Sequence, residues 1–175
     1  MADSKVAKEA DRLQAILMDE GLEASVLEGG FKDFSAAAKD EVAARVAATF
    51  APAAGRLLAR LSFIRTAENG PALRFAYVAS LRSPDPAARK FALYGLKALG
   101  DPALADLALV ALRDDQDPVL AAAVEILAAP AAGDRRLWSF LQGFYLAHKG
   151  RDEFHMSTSL IEAHGIVGPF PDKKK

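Results

Sequence analysis

The dipeptide Asp-Pro occurs at Asp85-Pro86, Asp101-Pro102 and Asp117-Pro118, each copy sixteen residues after the last. An aspartate before a proline is a helix start. Its carboxylate accepts from the unpaired N–H groups of the first turn, and proline suits the first helical position, where no intrahelical bond is lost. Restarting at this interval leaves room for one short helix and one turn per period. The stretch from Ser83 to Ala129 therefore predicts short helices laid side by side at a constant stride, the pattern of a helical solenoid.

The apolar spacing agrees with those starts. Helix 86–99 offers Ala88, Phe91, Ala92, Leu96 and Leu99 to a core; helix 102–113 offers Leu104, Leu107, Ala108 and Ala111. Helix 118–128 offers Leu120, Ala123, Val124 and Leu127, and Pro130 is expected to end it. Asn69-Gly70-Pro71 reads as a degenerate start for helix 71–82, and Asp134 as the cap of an aromatic helix 134–148. Upstream, Ser35 or Asp33 caps helix 36–50 (Val42, Val46 and Phe50 inward), and Pro52 opens helix 52–67 (Leu57, Leu58, Leu61 and Ile64 inward). Paired, these helices give hairpins 52–83, 84–115 and 116–149.

The ends are less regular. Residues 1–20 predict a polar helix with a thin stripe of Val6, Ala10, Leu13 and Leu17, which caps the first repeat or docks into a partner. Gly21 stops it, and Gly29-Gly30 marks a turn. Beyond Gly150 only a turn or two of helix is expected, around Ser159–Ala163; Ile166, Val167 and Phe170 should lie against the body and three lysines should end the chain in solvent. The chain thus divides into an N-terminal helix and turn (1–34), a helical repeat domain (35–149) and a partly irregular tail (150–175).

Composition removes several functions. Lys plus Arg number 22 against 23 Asp plus Glu, a formal charge of −1, so no whole-molecule attraction draws nucleic acid or anionic membrane. Cysteine is absent, and with it disulfides, thiolate metal sites and thiol nucleophiles. The opening MADSKVAKEADRLQ lacks the apolar core of a signal peptide, and no run reaches membrane-span length; a cytoplasmic location is expected. His148, His155 and His164, spaced by seven and nine, do not fit a compact metal motif. Ser157, Thr158 and Ser159 lie near histidines in sequence, but nothing supplies a third group or an oxyanion hole. Asp114, Asp115 and Asp117 share one turn without the alternation of a calcium loop. No catalytic, cofactor-binding or metal-binding residue is expected.

The segment Leu99–Leu127, LGDPALADLALVALRDDQDPVLAAAVEIL, resembles the short HEAT repeat of the phycobilisome-lyase type. Gly100-Asp101-Pro102 fills the place of that family's second-helix start, and the acidic turn ending in Asp117-Pro118 that of the next repeat's first helix. Asp85-Pro86, Arg89 and Ala92 meet its D-P-x-x-R-x-x-A run, and Leu99-Gly100 its Leu-Gly close. The match covers about 84–128; Ala121 stands where the next arginine belongs, which suggests that the array ends there. The resemblance implies an all-α, right-handed α-α superhelix (HEAT or armadillo-like) of about three hairpins plus N-terminal helices. It also implies partner binding on the concave row of second helices, 71–82, 102–113 and 134–148.

On those helices, Arg74, Arg82, Arg113, Arg135 and Arg136 read either as a solvated rim or as a docking stripe for an acidic partner. Trp138 and Tyr145 are its candidate aromatic anchors, although for Trp138 the favoured reading is core, since the final helix must close the stack. The expected function is a non-catalytic protein-interaction adaptor or assembly subunit, with self-association through a solenoid end a further expectation. Two alternatives stand beside it. One is a nucleic-acid protein resembling the HEAT-like alkylpurine DNA glycosylases, which the near-neutral charge disfavours. The other is a bilin-lyase-like chromophore protein, suggested by the repeat's namesake.

Overall fold

The computed structural model describes residues 2–19, 31–48 and 55–171. Among them the regular structure is entirely helical. The α-helices are α1 (Ala2–Met18), α2 (Ala36–Ala48), α3 (Gly55–Leu61), α4 (Gly70–Ser80), α5 (Pro86–Leu99), α6 (Leu104–Ala111), α7 (Asp117–Ala131), α8 (Arg135–His148) and α9 (His155–Ala163). None is long and apolar enough to cross a membrane. The expected stop at Gly21, the Gly29-Gly30 turn, Phe50, the restart at Pro52 and the terminal lysines lie outside the described residues. The chain forms two compact units, Met1–Asp101 and Pro102–Lys175, divided inside the stretch read as one repeat domain.

In the first unit, α1 packs on α2 and α3, α2 on α4, α3 on α5, and α4 on α5. Ala10, Leu13 and Leu17 of α1 are fully buried, so this helix spends its apolar stripe inside the molecule. Its polar side is used as well. Glu9 accepts from the Ser35 N–H (2.6 Å) and hydroxyl (2.8 Å), and Ser35 in turn accepts from Ala38 N–H at 3.3 Å, the cap expected for α2. Those two bonds hold the Glu9 carboxyl below its ordinary range. Arg45 of α2 closes the contact on Asp11 at 2.7 Å.

Helices α4 and α5 pack closely. Tyr77 is fully buried, and a Cβ built on Gly95 would stand 2.1 Å from its ring. Glycine at 95 is therefore the slot the Tyr77 ring occupies. Gly55 does the same for α3 against α5, where a Cβ would meet the Ala87 backbone at 2.8 Å. Beside that contact, Asp85 accepts from its own helix at Ala87 N–H (2.9 Å) and from the start of α3 at Gly55 N–H (3.4 Å). One carboxylate thus serves two helix starts. Arginines serve helix ends: Arg60 donates to the Leu17 carbonyl in the last turn of α1 and to the Asp19 carbonyl just past it, and Arg65 to the Ala98 carbonyl of α5.

In the second unit α7 is central, packing on α6, α8 and α9. Val119–Val124 and Ile126–Ala128 are all buried, far more than the four inward positions expected. The extra burial comes from α9, a nine-residue helix where one or two turns were predicted. Three further expectations need correction. Helix 102–113 is shorter, Leu104–Ala111 with Ala103 at its N-cap, and the carboxylate of Asp101 receives Arg74 Nε at 2.5 Å. Pro130 lies inside the last turn of α7, which continues to Ala131; so near the end, the N–H it lacks removes only one terminal bond. Asp117 is the first residue of α7 behind Gln116 at the N-cap, and its carboxylate bonds elsewhere.

Two glycines in helix interiors, Gly95 and Gly143, carry opposite predictions. Gly95→Ala should destabilise the fold by about 1–3 kcal/mol in urea unfolding, because the methyl overpacks Tyr77. Gly143→Ala in α8, where a Cβ meets nothing within 4 Å, should stabilise it by about 0.5–1 kcal/mol. The same sign for both would contradict the Tyr77 slot. Burial also pushes the Tyr77 phenol up. The unfolded chain then loses this proton first as pH rises, so the group's contribution is complete below about pH 10 and falls by about 1.4 kcal/mol per pH unit above it. Unfolding of Tyr77→Phe should lack that component of the alkaline slope.

Candidate functional site

The chemistry-bearing residues of the second unit converge where the C-terminal residues cross α8. Asp134 caps this helix as its sequence predicts, accepting from Arg136 N–H at 2.8 Å and Leu137 N–H at 3.2 Å. Trp138 and Leu141 face inward and are buried. The indole Nε1–H of Trp138 donates to the Gly168 carbonyl at 3.2 Å, and Gln142 Nε2 donates to the same oxygen at 2.5 Å. Phe170 meets the Trp138 ring edge-on at 5.8 Å, and the Arg135 guanidinium lies 5.3 Å from the Phe170 centroid. One turn further along α8, the Tyr145 hydroxyl donates to Glu162 of α9 at 2.6 Å, which raises the phenol above its ordinary value.

A second attachment holds α9 itself. Asp117 accepts from Met156 N–H at 2.6 Å and from Ser157 N–H at 3.0 Å, the first free donors of that helix. The Asp-Pro start signal of α7 is thus used as a cap for a helix some forty residues later. Gly165 then turns the chain in the left-handed region (φ 70°), with Ile166 N–H bonded to the Ile161 carbonyl at 3.0 Å, and Ile166 is fully buried. Of the tail residues expected against the body, Ile166 and Phe170 are there, whereas Val167 is 48% exposed.

The sequence-predicted site residues separate into two sets. Arg74, on α4 of the first unit, is paired with Asp101, and Arg82 follows α4 in solvent. Arg113 is exposed after α6. Arg135, Trp138 and Tyr145 are all engaged by the chain's own C-terminal residues, Trp138 being only 6% exposed. What sequence reasoning missed is Gln142, the Gly168 carbonyl and α8 as the place where Phe170 docks; the available signal was a phenylalanine set between Pro169 and Pro171, just past a helix-stopping glycine. The large apolar side chains of α8 left in solvent are Phe140 (51% exposed) and Leu146 (62%).

The other candidate groups have structural partners. His148 Nδ1 lies 2.7 Å from the Phe144 carbonyl oxygen, which requires its proton on that nitrogen, and its ring sits between Phe144 and Phe154. The Ser157 and Thr158 hydroxyls donate to the Phe154 carbonyl. Among the described residues no group of three or more His, Asp or Glu could hold a metal ion. In the first unit a groove of about 580 Å³ is lined by Leu17, Met18, Leu57, Phe91, Arg56 and Asp85; its carboxylate is the one that caps α3 and α5. Comparison with protein-family models, curated proteins and solved structures finds no match to this chain.

Asp117→Ala should lower stability by about 0.5–2 kcal/mol in urea unfolding, the usual cost of a lost N-cap. Asp117→Asn keeps one acceptor oxygen for two N–H donors, at Met156 and Ser157, and should recover only part of that loss. An Asp117→Ala chain as stable as the unsubstituted one would contradict capping of α9 from position 117.

Proposed function

We propose that this chain is a non-catalytic protein-interaction subunit, built as a short HEAT-like α-solenoid, whose partner contacts α8. The repeat reading is supported by the contacts of the first unit, where helices two apart in sequence touch: α1 with α3, α3 with α5, and α2 with α4. Packing of that kind is what stacked hairpins require. It is also supported by the Arg89 hook, whose guanidinium donates to the Ser83 and Pro84 carbonyls and so closes the Asp-Pro turn from within the D-P-x-x-R run.

The observation that carries the interaction reading is the outer side of α8. Phe140 and Leu146 stand in solvent on a helix whose inner side is already saturated by α7, α9 and the tail. Gly143 lies between them in sequence, and glycine in a helix interior is unfavourable unless something approaches closely. Nothing within the described chain approaches it: a Cβ there meets no atom within 4 Å. Apolar side chains flanking an open backbone suit a helix or strand edge from another protein.

A photo-reactive phenylalanine at position 140 or 146 should give a discrete crosslinked species in extract of the source cells, and at exposed Lys97 on α5 it should give none. Phe140→Asp should remove the species while leaving the unfolding midpoint within the range of surface substitutions, about 0.5 kcal/mol. Crosslinking no stronger at 140 and 146 than at 97 would overturn the reading.

A further inference from the structure

The C-terminal contact on α8 has the chemistry of peptide recognition. Two side-chain donors, Trp138 Nε1–H and Gln142 Nε2–H, converge on one main-chain carbonyl, that of Gly168. The residue after that carbonyl is Pro169, and the next side chain, Phe170, is held between the Trp138 edge and the Arg135 guanidinium. Residues 169–171 have no regular secondary structure, and Pro169 and Pro171 are exposed. Prolines on both sides of Phe170 hold the backbone extended before it binds, so little freedom is lost on docking. Recognition of an extended, proline-flanked segment by an aromatic groove with a converging donor is a recurrent mode of protein interaction.

The contact is also separable from the fold beneath it. Ile166 is fully buried and α9 is fastened by Asp117 and Glu162, all upstream of the docked carbonyl. Residues from Val167 onward can leave α8 without unfolding α9, because they bury little and the helix cap at Gly165 stays in place.

We infer that Arg135, Trp138 and Gln142 form a binding site for an extended Gly-Pro-aromatic-Pro segment. The chain's own Gly168–Pro171 fills it in cis, and a partner's segment of the same chemistry fills it by exchange. This deepens the interaction reading and rests on it, placing a peptide groove on the inner side of the helix whose outer side carries Phe140. A tethered occupant acts at an effective concentration of roughly millimolar, so the resident tail masks the site against weak ligands and yields to a partner that adds contacts elsewhere.

Trp138 is the only tryptophan, which makes the site its own reporter. In the full chain carrying Phe170→Ala, emission from Trp138 should shift to the red and become more accessible to acrylamide. The peptide VGPFPD should reverse both changes saturably, and VGPAPD should not. Adding Gln142→Ala to that variant should weaken the peptide effect about threefold to tenfold. For the unsubstituted chain, the Trp138 indole N–H resonance should move with VGPFPD only at concentrations above about a millimolar. Unchanged Trp138 emission in the Phe170→Ala chain, or equal responses to VGPFPD and VGPAPD, overturns the proposal. Loss of peptide exchange with crosslinking at position 140 intact would remove this groove alone; loss of both would remove the interaction reading.

Discussion

Every short helix leaves its first N–H groups and last carbonyls without partners, and satisfying them is the constraint on which this structure depends. A chain of brief helices has many such ends and little burial per helix with which to offset them. Here the ends are served from neighbouring helices. Asp85 joins the starts of α3 and α5, Glu9 of α1 reaches the Ser35 cap of α2, and Asp117 of α7 holds the start of α9. Arg60 and Arg65 act on the carbonyl ends of α1 and α5. Each polar contact therefore also fixes which helix lies beside which, a selectivity that apolar packing by Ala and Leu supplies only weakly.

Apolar packing then sets how close the helices come. At Gly55 α3 admits the backbone of α5, and at Gly95 α5 admits the ring of Tyr77. Tyr77 spans the first unit from that slot, with its hydroxyl 3.5 Å from the Leu58 carbonyl of α3. In the second unit the same need is met without aromatic keys, by an α7 rich in alanine and buried nearly all round.

Much of this was legible in the residues. The starts of α5 and α8 follow from Asp85 and Asp134, whose carboxylates cap as their positions demand, and the inward residues of α1 follow from spacing alone. The tertiary use of the caps was not. A carboxylate before a proline says that some helix start is near; it does not say which, and Asp117 serves one some forty residues downstream. For the same reason α9 was underestimated: its start is stabilised from outside its own sequence, so no local cap announces it. At the candidate site, Arg135 and Trp138 were legible as a cation and an aromatic on one helix. Their occupant was not, because a main-chain carbonyl carries no sequence signature.

The proposed function rests on what these contacts leave over. The inner side of α8 is filled by the chain's own extended tail and its outer side carries Phe140 and Leu146 in solvent, so one helix presents a masked groove and an open apolar side. The fold stands on helix starts being capped across the chain. Amide hydrogen exchange of the native protein tests that most directly. The N–H groups of Ser35, Ala87, Met156 and Ser157 should be protected well beyond the first-turn amides of α4 and α6, whose N-cap residues Asn69 and Ala103 make no side-chain capping bond. Exchange of Met156 and Ser157 as fast as in an unstructured peptide would contradict it.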